Sequence, residues 1–346
     1  MTQPFRVSLS AYQTWQTCQQ KYNYRYVKRI RPIVKNSAPQ RGTVIHEYMD
    51  VFYSALKDGR TVDDAHELGI QKLESHKLEF ELAASVSRLA DQPEEAEEYA
   101  QMLVQCVDLA ERYLNMHGRV DAERYDILLV EERLRVMTAP DILSTGIVDL
   151  VLRDRIHGRV AMLEHKTTKT VPRASVRLRD FQTLLYAEKL RATHGVEIDS
   201  VLWNYVRTEP PTIPRVLKNG KMSTAANIDS TWDVYEKALL AAGLDPADYA
   251  DMRASLTPRE RTVYFPRYEH VIVASSDVLL FDYVQTSTTM RRAVWEWRAG
   301  KSVPSRSLAR SCDWCEFYKL CEAEVMGGDA DDLIKRFFIQ DERINA

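Results

Sequence analysis

The sequence predicts an α/β fold, a mixed central sheet flanked by helices and carrying a helical insertion, and three observations predict it. Residues 125–166 hold three short, alternating, β-branched segments; the stretches before and after them space apolar residues three and four apart; and a strand, helix, strand order at 158–208 implies a crossover. The chain of 346 residues is 45% hydrophobic and 28% charged, a globular composition that excludes disordered and collagen-like architectures.

Residues 9 to about 30 read as a helix ending in basic residues, followed by a short loop to Pro39. A second helix begins after Arg41 and Gly42, with His46 in its first turns. Residues 61–120, poor in Gly and Pro and rich in Glu, Ala, Leu and Gln, read as a helical insertion. YDILLVEERLRVM, TGIVDLVLRD and GRVAMLEHK form the sheet, with a hairpin turn at RDRIHGR. A helix from Arg173 closes at Gly195, and IDSVLWNYVRT is a further strand. Beyond a turn-rich loop at 209–224 come weak helices to about 256, a strand near RTVYFPRYEHV, a helix over 275–298, and a frayed tail. The organisation expected is an N-terminal helical segment 1–40, a motif helix 41–60, the insertion 61–120, a core 121–298 and a C-terminal segment 299–346.

Forty-seven Lys and Arg balance fifty Asp and Glu, so any nucleic-acid surface must be local. The chain shows neither a signal-peptide pattern nor a membrane-length apolar run, which predicts a cytoplasmic protein without membrane contact. Five cysteines are too few for a disulfide scaffold, and a reducing compartment leaves thiols for metal ligation.

On a strand, Glu164 and Lys166 share one face and the His165 side chain takes the other. A carboxylate can hold a hard divalent cation, an ammonium two residues on can orient an attacking water, and the intervening backbone carbonyl at His165 is a further ligand. Asp149 lies among apolar residues on the preceding strand, where an unpaired carboxylate is costly to bury, and the hairpin sets it beside Glu164. Asp141 is a rival, but its Pro-Asp context reads as turn chemistry. A single His such as His46 on an amphipathic helix is commonly a satisfied core or surface residue. Gln182 and Tyr186 project from one helix side, with Arg179 one turn earlier.

Gly42 to His46 as G-x-x-x-H, Gly146 to Asp149 as G-x-x-D, Glu164 to Lys166 as E-x-K and Gln182 to Tyr186 as Q-x-x-x-Y occur in that order. The order resembles the RecB-like branch of the PD-(D/E)XK nucleases, which includes helicase-nuclease subunits and CRISPR adaptation nucleases. The resemblance implies a restriction-endonuclease-like sheet and a metal-dependent DNA exonuclease acting on single strands or free ends. It implies Mg or Mn at His46, Asp149 and Glu164, Lys166 assisting the water, and Gln182 and Tyr186 near DNA. Glu131, on the preceding strand, has no assigned role. No Walker A motif is present, so a motor would come from a separate helicase or recombination partner.

Cys312, Cys315 and Cys321 form C-x2-C-x5-C, with Cys18 as candidate fourth ligand. Thiolate geometry alone leaves a [4Fe-4S] cluster, a zinc site and unligated cysteines open. The resemblance implies the cluster, since iron-sulphur members place one Cys near the N-terminus and three near the C-terminus; it would join the two ends of the chain. Cys106 reads as a small buried hydrophobe. Basic runs at 27–31, 173–179 and 290–292, with Lys301, Arg306 and Arg310, are candidate phosphate contacts, and Trp203, Tyr205, Tyr22 and Tyr24 candidate stacking surfaces.

Overall fold

A computed structural model describes residues 3–33, 37–86, 93–177, 181–272, 277–307 and 310–341. Strands β3 (Tyr125–Ala139), β4 (Ile142–Asp154) and β5 (Val160–Thr168) form an antiparallel meander where the alternation predicts it. Asp154 closes the β4–β5 turn by accepting from the N–H groups of Ile156 and His157 at 2.8 and 2.9 Å. Helix α8 (Phe181–His194) crosses over to β6 (Ser200–Arg207), which runs parallel to β5, and β7 (Arg267–Val271) adds antiparallel to β6. A short strand missing from the sequence reading, β1 (Phe5–Ser8), pairs parallel with β4. The sheet is therefore mixed, in the order β1-β4-β5-β6-β7 with β3 on the other edge of β4.

Two layers enclose it. On one face α3 (Ser37–Lys57), α4 (Val62–Val86) and α5 (Pro93–Tyr113) bury Tyr48, Phe52, Leu109 and Tyr113 against Leu150, Leu152 and Leu163. Each such side chain contributes roughly 1.5–3 kcal/mol on burial. On the other face Tyr186 and Leu190 of α8 meet Val148, Val151, Met162 and Trp203. A third cluster packs α1 (Leu9–Thr17) and α11 (Asp277–Arg298) beside β1 through Tyr12, Trp15, Tyr283 and Met290.

Several elements differ from the sequence reading. The helix expected over 9–30 breaks at Cys18, whose backbone is extended at φ −163°, because the Gln20 N–H that would continue the helix donates to Ser305 O at 2.9 Å. A short α2 (Gln19–Tyr22) and strand β2 (Ile30–Pro32) follow. The second helix starts earlier than expected, at Ser37, and takes in Pro39. Of the helix expected from Arg173, α7 (Ala174–Arg177) and α8 are helical, and residues 178–180 between them lie outside the described residues. The strand expected at 261–271 begins only at Arg267, after Pro266, which has no N–H to give a ladder.

Helices α9 (Trp232–Ala241) and α10 (Ala250–Leu256) build a small satellite core, tied to the sheet by Asp229, which accepts from Arg207, Arg259 and Tyr264. The tail, expected to fray, forms regular elements over 318–340, and its last residues, 342–346, lie outside the described residues. Asp329 caps α13 (Ala330–Phe337), which follows α12 (Tyr318–Met326), and β8 (Phe338–Gln340) pairs antiparallel with β2. Among the described residues no helix is long and apolar enough to cross a membrane.

Candidate active site

One edge of β4 is shared between two partners. β1 takes residues 142–145 and β5 takes 150–153, so Gly146 to Asp149 face a split in the sheet. Side chains from both helical layers meet there. Two glycines permit the approach. A Cβ on Gly146 would lie 2.5 Å from the Tyr186 ring, so Gly lets Tyr186 lie on β4, where the Ile147 N–H donates to its hydroxyl. A Cβ on Gly42 would lie 2.9 Å from Thr167 Oγ1, so Gly lets the start of α3 close on β5 one turn before His46.

His46 Nδ1 lies 3.9 Å from Asp149 Oδ2. Donor atoms of His46, Glu131 and Asp149 all lie within 4.8 Å of one another. Asp149 Oδ2 also accepts from the His165 N–H at 2.7 Å, and the His46 ring donates to the His165 carbonyl. Glu164 stands beside this group, its Oε1 accepting from Lys166 Nζ at 2.7 Å and from Gln182 Nε2, while Lys166 Nζ also donates to Gln182 Oε1 at 3.1 Å. The structure thus brings His46, Asp149, Glu164, Lys166 and Gln182 to one place, with Tyr186 against Gly146. It places Glu131, rather than Glu164, in the three-donor group.

The His165 side chain is not part of this group. Its ring points to the other face, is 3% exposed among Tyr53 and Tyr113, and bonds Asn204 Nδ2 at 2.9 Å, leaving only its carbonyl at the site. Behind the ring, Arg267 forms a buried ion pair with Asp121 at 2.6 Å.

Burial lowers the pKa of His46 and so keeps its imidazole neutral, the form that ligates metal. Burial pushes the Asp149 carboxyl up to about 7. Asp50, one helical turn after His46, is pushed up to about 8 by burial and then by Glu131 and Asp149, and its carboxyl bonds that of Glu131. Carboxylates crowded in this way call for a cation, and the nearest amine, Lys166, is already held by Glu164. Nitrogen and oxygen donors of this kind fit a hard divalent ion such as Mg or Mn. Asp50 escaped the sequence reading although its i, i+4 spacing from His46 was visible. Asp141 lies in its predicted turn, paired with Arg291 at 2.9 Å.

A groove of about 960 Å³ runs from Gln182 and Tyr186 past Gly146 to β1, α1 and α11. Arg6, Arg29, Arg133, Arg135, Arg291 and Arg298 line it, with Tyr22, Tyr26 and Trp295, and no Asp or Glu among the described residues does. Among the expected basic residues, Arg29 and Arg291 line the groove; Arg306 binds Glu324 at 2.6 Å, Lys301 covers the Trp295 ring, and Arg177 stacks on Tyr268. Arg179 and the Arg310 side chain lie outside the described residues. Tyr22, Trp203, Tyr205 and Tyr24 are core residues, 3, 3, 5 and 1% exposed, and offer no face to a base.

Cys18 is close enough to Cys315 to help raise its thiol pKa, and Arg306 bonds Cys321. The described contacts that join the chain ends are apolar and polar: Tyr24 and Ile30 pack with Phe317 and Leu320, Glu324 accepts from Gln20, Tyr24 and Arg306, Glu316 pairs with Arg25, and β2 pairs with β8. Among the described residues no three of the four sulphurs fall within 4.8 Å of one another. Cys106 is fully buried in the α3–α5 core, as expected.

The model of the PD-(D/E)XK nuclease superfamily matches residues 6–322. No curated protein matches the chain. Among solved structures it is similar to a protein from Eubacterium rectale named "Putative exonuclease", with 10% identity, a TM-score of 0.40, and coverage of 89% of this chain and 87% of that one.

Proposed function

The chain belongs to the PD-(D/E)XK nuclease superfamily, and from that premise we propose that it is a Mg- or Mn-dependent deoxyribonuclease of the RecB-like branch, an exonuclease acting on single strands or DNA ends. The observation that carries the reading is the convergence of His46 and Asp149 at the split in the sheet, beside the Glu164–Lys166 pair. A divalent ion held there would activate water and stabilise the leaving oxygen in an in-line phosphodiester hydrolysis. His46, Asp149, Glu164 and the His165 carbonyl would hold it. Lys166, fixed by Glu164 and Gln182, keeps an ammonium where the attacking water must lie. Gln182 and Tyr186 stand between that centre and the arginine groove, which supplies a phosphate track and aromatic faces for unpaired bases.

The [4Fe-4S] reading of Cys18, Cys312, Cys315 and Cys321 is supported by their spacing and by the packing of the Cys18 segment on the C-terminal segment. Its role would be structural, in a reducing, cytoplasm-like compartment, with a helicase or recombination partner supplying the motor. Broad visible absorption of anaerobically purified protein tests it, and a colourless, iron-free protein would end it.

The nuclease reading is tested with purified protein, Mn or Mg, and end-labelled single-stranded, duplex and circular DNA. Asp149→Ala and Lys166→Ala should each abolish cleavage while DNA binding persists, and chelation should do the same. Digestion of circular DNA would favour an endonuclease, and undiminished turnover in both variants would remove the site.

A further inference from the structure

We infer that Glu131 is a further protein ligand of the divalent ion, aimed by a left-handed backbone, an inference that rests on the nuclease reading above. Val130 pairs with Leu150 and Glu132 with Val148, which sets Glu131 across from Asp149. At this point the strands lose their ordinary alternation. Val148 belongs to the core on the α8 face and Leu150 to the core on the α3 face, although residues two apart in a strand should share a face.

Register is continuous from Leu129–Val151 to Leu134–Gly146, so no residue is inserted; the strands turn over together at the two acids. The turn is taken up at Glu131, whose φ of +48° is one of two positive values outside glycine among the described residues. A glutamate enters that region only when its surroundings hold it there, and such positions gather at functional sites.

The turned backbone brings the Glu131 carboxylate within 4.8 Å of His46 and Asp149. Asp50 meets it from α3, its carboxyl bonding that of Glu131. Glu164, by contrast, gives Oε1 to Lys166 and Gln182. The division of labour follows. Glu131 shares the ion with His46, Asp149 and Glu164, Glu164 also holds Lys166 beside it through Oε1, and Asp50 acts as a positioning residue for Glu131.

The test is Mn binding without DNA, followed by electron paramagnetic resonance or calorimetry on the full chain, with melting in chelator as a second readout. Glu131→Gln keeps the shape and should weaken Mn binding by roughly tenfold or more. Glu131→Gly should weaken it equally but melt no lower than wild type in chelator, since glycine accepts the left-handed backbone. Mn affinity of Glu131→Gln within about twofold of wild type would overturn the inference, as would a marked drop in chelator melting for Glu131→Gly. Loss of binding in Asp149→Asn with retention in Glu131→Gln would overturn this inference and leave the nuclease reading standing. Wild-type protein that binds no Mn would remove both.

Discussion

Asp149→Asn in metal-stripped protein reads the strain of the empty centre directly. The Asp149 carboxyl is pushed from its ordinary 3.8 to about 7 by burial, so between those values the folded chain holds a proton that the unfolded chain has released. Stability then falls as pH rises: the contribution of the neutral acid is present near pH 4 and is lost on passing about 7. The interval corresponds to an upper bound of roughly 4 kcal/mol at 1.36 kcal/mol per pH unit. At about 2.1 cal/mol/K per residue, a chain of 346 residues would lose about 6 °C of melting temperature. Asparagine can still accept from the His165 N–H and carries no charge. The variant should therefore match wild type near pH 4 in chelator and exceed it by several degrees near pH 8, and saturating Mn should raise wild type and leave the variant unmoved. The assay is thermal melting across that range with and without chelator. Comparing wild type with variant cancels the titrating groups that Asp149 does not touch. Equal pH slopes for the two proteins, or a wild type that gains relative to the variant on going to pH 8 without metal, would refute the reasoning.

Three further outcomes are expected. Gly146→Ala sets a methyl 2.5 Å from the Tyr186 ring and should cost about 1–3 kcal/mol in denaturant midpoint, with a larger fractional loss of turnover as α8 shifts. Lys189 is 2% exposed, its amine pushed down to about 7 by burial and donating to Thr145 O. The unfolded chain thus binds more protons between about 7 and 10.5, so wild-type stability should rise with pH there; Lys189→Met should be more stable near pH 6.5, with the gap closing by about pH 10 in urea melts. Arg133→Ala with Arg298→Ala, both groove residues, should weaken binding of single-stranded DNA and lower the salt slope by about 0.7 per contact removed, measured by anisotropy in chelator.

Long, regular periods made the meander and the crossover legible: β3, β4 and β5 lie where β-branched alternation ran, and Gly195 ends α8 at φ +63°. His46, Asp149 and Glu164 could be picked out because each stood at fixed spacing from a glycine or a lysine. The remainder was hidden for physical reasons. β1 is four residues long and pairs with residues more than 130 positions away, so no local period announces it. Nothing in VEER reveals that one glutamate is left-handed, because that backbone is imposed from outside the strand. Asp50 becomes part of the site only because α3 lies against β3. The α1 break at Cys18 likewise depends on Ser305, a partner supplied by the distant tail.

The latch between β2 and β8, with Glu324 gathering Gln20, Tyr24 and Arg306, imposes an order on biosynthesis. Ribosomes release the amino-terminal arm well before its seat, since Glu324 lies 304 positions after Gln20. Until then the arm would have no β8 edge to pair with and no Glu324 to hold it, and the arginine groove it helps wall would stay incomplete. A chain clipped before Tyr318 would keep every residue that lines the groove and lose the partners that seat the arm forming one of its walls.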